Sequence, residues 1–276
     1  MKKLAFIIFL VLSSFVFCAE QPLPKPIKLF DYPTEVKNHQ LINYGVVGPG
    51  QTFVLKIDPI VRDKNGNFLG QWDKAQATKL PENWSSTPSK LYANPLIVEI
   101  TPSKDAQDGE YEVEIKLVDE TGQEKIGDEF VFWIKVKIDH NVVEANIDPI
   151  ENVVSASQPA RFRIEIKNTG SAKDVFLVQI KGIKEWEMQQ YVYVPSKESK
   201  VIIYEVVSDS GPTSYTLNLE ITSLSSAAIS TKKDFNLIIK NNLISDLKAV
   251  NKGPLLFPSY PILFYSVIGF LSNLFS

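Results

Sequence analysis

The sequence predicts an all-β protein: two antiparallel β-sandwiches in tandem, with an N-terminal signal peptide and a C-terminal apolar membrane helix. Three observations carry the prediction. Helical periodicity is nearly absent between residues 44 and 241, apolar and polar residues alternate with period two in many short runs, and the order of those runs recurs in the second half. A length of 276 residues suits two domains of about 100–150 residues. With 44% apolar residues, 13 Gly and 17 Pro, disordered, collagen-like and low-complexity chains are excluded. A formal net charge of −3, with lysine far outnumbering arginine, argues against nucleic acid as a partner.

Residues 1–19 read MKKLAFIIFLVLSSFVFCA: two lysines, an uncharged apolar run, then small residues, the pattern of a secretory signal peptide. Removing Lys2 and Lys3 with it takes the net charge from −3 to −5. The single cysteine, Cys18, lies at the cleavage region. Phe17 precedes it where a lipid-modified cysteine needs a small residue, so cleavage without lipidation is the expectation. An exported chain without thiols has no disulfides, which points to a prokaryote. Residues 20–43 follow as a spacer, its QPLPKPI run (21–27) extended because alternating prolines prevent a helix.

The first sandwich is expected over 44–139 and the second over 140–241. In EYEVEIKLVD, Tyr111, Val113, Ile115 and Leu117 share one face and Glu110, Glu112, Glu114 and Lys116 the other. Phe162, Ile164 and Ile166 alternate in the same way, as do Tyr215, Leu217, Leu219 and Ile221, and Phe235, Leu237 and Ile239. One buried and one wet face per strand is the mark of antiparallel sheets packed in pairs. Asp63-Lys64-Asn65-Gly66-Asn67 and Glu120-Thr121-Gly122-Gln123 are the hairpin candidates. The connection around Asp139 to Ala145 is short and lacks Gly and Pro, so the sandwiches are expected to be coupled.

The repeat aligns an opening strand (Gly50 to Ile57; Ser157 to Gly170), a central tryptophan (Trp84; Trp186), a Pro-Ser-Lys turn (Pro102 to Lys104; Pro195 to Lys197) and a strand entered through Gly and Tyr. This order resembles prokaryotic extracellular Ig-like domains of the galactosidase-associated NEW and CARDB type. The second half matches better, through its Asn168-Thr169-Gly170 turn, Trp186, Pro195 and Tyr215. The first departs through the insertion from Asp58 to Trp72. The resemblance implies a non-catalytic spacer, accessory or interaction module, and it implies no ligand.

Residues 242–253 form a polar linker, with a short helical turn expected at 243–249, and 254–276 the apolar end. Gly253 to Ser276 carries no charge, and Leu255 to Phe275 is long enough to cross about 30 Å of hydrocarbon. Pro261 leaves an uninterrupted helix to Ser276 of roughly 24 Å. Ser266, Gly269, Ser272 and Asn273 form a small, polar stripe for packing on a neighbouring membrane helix. A tail anchor is the preferred reading and a helix lying in the interface plane the alternative.

Chemistry is sparse. His39 and His140 fall in connecting segments, and no hydrolase elbow, His-Glu-x-x-His pair or phosphate loop occurs. Catalytic residues, cofactors and metal ligands are therefore expected to be none. The Asp63-x-Asn65-x-Asn67 run has Phe68 and Lys74 where a calcium loop needs Gly and Glu, which favours a plain hairpin. Trp84 and Trp186 are expected to fill the two cores. Trp133, with Val131, falls on the polar phase of FVFWIKVKI and is expected to be an exposed or interface aromatic. Trp72 is a second, loop-borne contact candidate. Asn83 begins the glycosylation sequon Asn83-Trp84-Ser85.

These features predict a non-enzymatic cell-envelope protein, exported to the outer face of the cytoplasmic membrane or the cell surface. Its membrane contact is the C-terminal segment, and its partner an envelope or membrane protein. A carbohydrate-binding module using exposed tryptophans, or an accessory domain of an envelope hydrolase, is the rival.

Overall fold

A computed structural model describes residues 25–122, 126–207 and 211–240. The expected signal peptide, the turn expected at 243–249 and the apolar end with Ser266, Gly269, Ser272 and Asn273 lie outside the described residues. Among those residues the chain is strands and turns, with one 3-10 turn at Lys184–Trp186.

The first sandwich contains β1 (Lys28–Leu29), β2 (Leu41–Val47), β3 (Phe53–Asp58), β4 (Ile60–Arg62), β5 (Phe68–Gln71), β6 (Lys74–Lys79), β7 (Ser85–Thr87), β8 (Leu96–Thr101), β9 (Gly109–Val118) and β10 (Glu129–Ile138). One sheet has the order β1-β3-β8-β7, the other β2-β10-β9-β6, and β4 with β5 forms a hairpin between β3 and β6. The second sandwich contains β11 (Val143–Asp148), β12 (Glu151–Val154), β13 (Pro159–Asn168), β14 (Asp174–Lys181), β15 (Met188–Val194), β16 (Ser199–Val207), β17 (Thr213–Ser223) and β18 (Ser230–Ile239). Its sheets are β11-β13-β16 and β12-β18-β17-β14-β15.

Alternation decides the packing. Along β10, Phe130, Phe132, Ile134, Val136 and Ile138 are fully buried, while Val131, Trp133, Lys135 and Lys137 face outward. Each buried Phe or Ile contributes about 1.5–3 kcal/mol over exposure. A one-residue slip of β10 would exchange that whole face for Val131, Trp133, Lys135 and Lys137, burying two lysines, so the register is strongly held. Phe162, Ile164, Ile166, Leu217, Leu219 and Ile221 build the second core in the same way.

Three expectations change. Not every pair is antiparallel: β2 runs parallel to β10 and β12 parallel to β18. In both units the first segment is shared between sheets, β1 and β11 joining one and β2 and β12 the other. This split first strand, repeated in both halves, gives each unit an Ig-like sandwich topology. Second, the segment expected to be a spacer supplies core: Ile27, Leu29, Val36 and Ile42 are buried, and Ile27 bridges to Val36. Third, the repeat is offset by one strand. Pro102 to Lys104 joins β8 to β9, whereas Pro195 to Lys197 joins β15 to β16, so the counterpart of the latter is Pro88 to Lys90. The fourth strands also part company, since β7 pairs with β8 but β15 with β14.

The insertion hairpin forms as its turn chemistry predicts. Asp63 Oδ1 accepts from the amides of Asn65 and Asn67, both at 2.8 Å, and Gly66 takes a φ of +83°. These hydrogen bonds, led by that from the Asn67 side chain, hold the Asp63 carboxyl below its usual range.

Candidate functional site at the junction of the sandwiches

The turn after β2, Gly48-Pro49-Gly50, delivers Gln51 to the boundary between the two units. Gln51 is fully buried. Its Oε1 accepts from the Gly48 amide at 2.8 Å, and its Nε2 donates to Asp174 Oδ2 at 2.7 Å. Asp174, the first residue of β14, is 5% exposed. It also accepts from Ser223 Oγ at 2.6 Å, Ser225 Oγ at 2.9 Å and the Val175 amide at 2.7 Å. Burying a carboxylate is costly unless its lone pairs are engaged, and here four donors engage them.

Two further bonds cross the boundary: the Ser171 amide donates to the Val46 carbonyl at 2.6 Å and Ser226 Oγ to the Lys104 carbonyl at 3.2 Å. Ala172 belongs to the first core and Val46 packs on the second. Close approach requires glycine at position 50, where φ is +70° and a Cβ would lie 2.5 Å from the Ser225 carbonyl oxygen. The coupling expected from a short connection is thus built by a buried polar latch. No sequence motif announced it, although glycines at 45, 48 and 50 mark a place where chains approach.

Strand directions place the ends of the pair. β2 and β10 run toward the latch, and β1 lies at the far end of β3, Lys28 opposite Asp58. β11 and β12 run away from it, and β18, parallel to β12, ends where the Lys240 amide donates to the Val154 carbonyl. The first and last described residues therefore sit at opposite poles of an end-to-end pair.

Beside the latch lies an open groove of about 480 Å³, lined by both units. Tyr44 reaches it through a β-bulge: pairing steps from Lys135 opposite Asn43 to Val136 opposite Gly45, leaving Tyr44 as the extra residue. Its ring lies 4.6 Å from that of Phe53 and its hydroxyl donates to the Val54 carbonyl at 3.4 Å. Burial pushes the phenol up to about 12, so Tyr44 stays neutral at ordinary pH. Tyr32, Lys56, Glu99, Lys173 and Lys197 also line the groove, and none of these four charged groups has an ion pair among the described residues.

The residues singled out by sequence are scattered. Trp133 lies on the outer face, half-buried, with Lys79 Nζ 4.9 Å from its ring centroid and Lys79 paired to Glu114 at 2.7 Å. Val131 shares that face, and its amide is held by Asn38. Trp72 corrects the expectation of a loop contact: it is fully buried against Phe130, because the hairpin folds its base into the core. Among the described residues its Nε1 has no hydrogen-bond partner. Trp84 is buried beside Tyr111, but Trp186 is 38% exposed on the 3-10 turn rather than filling the core; Phe162, Tyr204 and Phe235 pack that interior instead. Asn83 is exposed, with φ of +61°. His39 bonds to Val131 near the start of β10, and His140 follows its end, 2.6 Å from Asp108. Nine residues of strand keep the two histidines about 30 Å apart, which excludes a catalytic pair. Among the described residues no three His, Cys, Asp or Glu side chains group as metal ligands.

No family model matches the chain, and no curated protein matches it. Solved structures do, each over about one sandwich. A CARDB domain from Pyrococcus furiosus, described as a complex with di-metal ions, is 15% identical, with 37% of this chain and 97% of that chain covered and a TM-score of 0.29. A human ASH/PapD-like domain is 9% identical, over 38% of this chain and 88% of that one, with a TM-score of 0.27. An MSP family member from C. elegans is 12% identical, over 36% and 99%, with a TM-score of 0.27.

Proposed function

We propose that the protein is a non-enzymatic element of the cell envelope that presents its first sandwich at a distance from the membrane and acts through protein contacts. The observation that carries this reading is the end-to-end latch. Ten-residue strands rise about 3.3 Å per residue, so each sandwich spans about 33 Å, and a buried junction makes the pair one stiff unit. With the first and last described residues at opposite poles, attachment through the charge-free C-terminal segment holds the second sandwich near the membrane and the first away from it. The leader supports export. Fractionation of intact cells, with protease applied from outside, tests this: the chain is expected in the membrane fraction and cleavable from outside. Recovery from the soluble fraction, or protection inside the cell, would refute it.

A carbohydrate-binding reading is favoured by one observation, the bulge that aims Tyr44 into a groove between units. It moves the expected contact from the tryptophans, Trp72 being buried, to Tyr44 and Tyr32. Loss of oligosaccharide binding on Tyr44→Ala, with unfolding unchanged, is its expected signature.

A further inference from the structure

We propose that the latch closes covalently: Ser223 Oγ attacks the side-chain carbonyl carbon of Gln51, ammonia leaves, and an ester ties the second sandwich to the first. The nucleophile and the amide share one acceptor. Asp174 Oδ2 accepts from Ser223 Oγ at 2.6 Å and from Gln51 Nε2 at 2.7 Å, so hydroxyl oxygen and amide nitrogen lie no more than about 5.3 Å apart. At the angles usual around a carboxylate oxygen that separation is about 4 Å. The carbon under attack is one bond from the nitrogen, and a modest side-chain rotation reaches the roughly 3–3.5 Å of an attacking pair.

Each part that the step needs is in place. Asp174, already bonded to the hydroxyl, takes its proton as the new C–O bond forms. The amides of Ser225 and Ser226 point at Ser223 Oγ from 2.9 and 3.4 Å and stabilise the negative charge it gathers. The Gly48 amide, 2.8 Å from Gln51 Oε1, does the same for the carbonyl oxygen in the tetrahedral intermediate. Asp174 then hands the proton to Nε2, the C–N bond breaks and NH₃ leaves. Hydroxyl and carboxamide become ester and ammonia, and no oxidant, metal or co-reactant is consumed.

Burial decides which product lasts. Gln51 is fully buried, and Asp174 and Ser223 are 5% and 4% exposed, so the water that would hydrolyse the ester is kept out, whereas ammonia is lost by dilution. Ser225 is placed differently. Its Oγ bonds to the other carboxylate oxygen, Oδ1, at 2.9 Å, where it steadies Asp174 rather than sharing an acceptor with the amide. Because Gln51 belongs to the first unit and Ser223 to the second, closure turns a hydrogen-bonded junction into a covalent one.

Peptide mass spectrometry of the full chain, purified in detergent and held at neutral pH, tests the proposal. The wild type is expected to yield a branched peptide joining the Gln51 and Ser223 segments, with the mass of the two less one ammonia, and hydroxylamine is expected to split it. Ser223→Ala and Asp174→Asn are each expected to abolish that peptide, and so is keeping the wild type unfolded in urea. A wild type with Gln51 and Ser223 only in separate, unmodified peptides overturns the proposal, as does one in which Gln51 is only deamidated. A branched peptide that persists in Ser223→Ala or in urea overturns it too. Should either variant not fold, the wild-type digest decides by itself.

Discussion

Gln51 carries the mechanical continuity of the two sandwiches, and replacing it with alanine is the sharpest test of the latch. The variant removes the 2.7 Å bond to Asp174 and the 2.8 Å bond from the Gly48 amide. A hydrogen bond to a charged group contributes about 1.5–3 kcal/mol, and an orphaned buried amide costs about 1–3 kcal/mol. Asp174 keeps three donors, so the carboxylate itself is not abandoned. The expected loss is therefore about 2.5–6 kcal/mol, large against the 5–15 kcal/mol of a whole domain. Scanning calorimetry of the full chain is expected to show one cooperative transition for the wild type and two for Gln51→Ala, as the sandwiches melt separately. A double-mutant cycle with Asp174→Ala isolates the pair, with an expected coupling of about 1.5–3 kcal/mol. Coupling below about 0.5 kcal/mol, or two transitions already in the wild type, would refute the claim that this contact joins the units.

Two further outcomes follow from the first sandwich. Trp72→Phe is expected to change stability by less than about 1.5 kcal/mol, because the volume it loses is offset by removal of an indole N–H without a partner; Trp72→Ala is expected to cost about 3–5 kcal/mol. Urea unfolding of both variants measures the contrast, and equal losses would contradict it. The Lys79 ammonium, with Thr78 assisting, holds the Glu114 carboxyl below its ordinary value of 4.5. A carboxyl lowered in the folded state stabilises fully above that ordinary value and loses its contribution as pH falls through the lowered one. Lys79 is 66% exposed, so the pair is worth only about 0.2–1 kcal/mol. The stability gap between wild type and Glu114→Gln is expected at pH 7 and to close in acid and in high salt. A gap that widens in acid would reverse the assignment.

Much of the fold was legible because alternation is a local property. Phe130 to Ile138 reveals its buried phase in nine consecutive residues, and the Asp63 to Asn67 turn carries its own hydrogen-bond chemistry. Parallel pairing of β2 with β10 was not legible, because it joins segments some ninety residues apart and leaves no mark in either. Trp72 misled for a related reason. Its neighbours are loop-like, and only the hairpin's return across Pro59 folds it under Phe130. The spacer reading of residues 20–43 weighted the prolines over Ile27, Leu29 and Val36, which the sheets bury.

The sequence alone determined the class of strand, the side of each strand that is wet, the turns and the division into two repeating units, since each depends on residues a few positions apart. Tertiary structure alone decided how the units are joined and where their groove lies. Gln51 and Asp174 stand 123 residues apart, and apart from the glycines at 48 and 50 nothing near either one distinguishes it from a surface polar residue. Their meeting depends on the summed directions of every strand between them, which fold into one place a buried amide and the carboxylate that satisfies it.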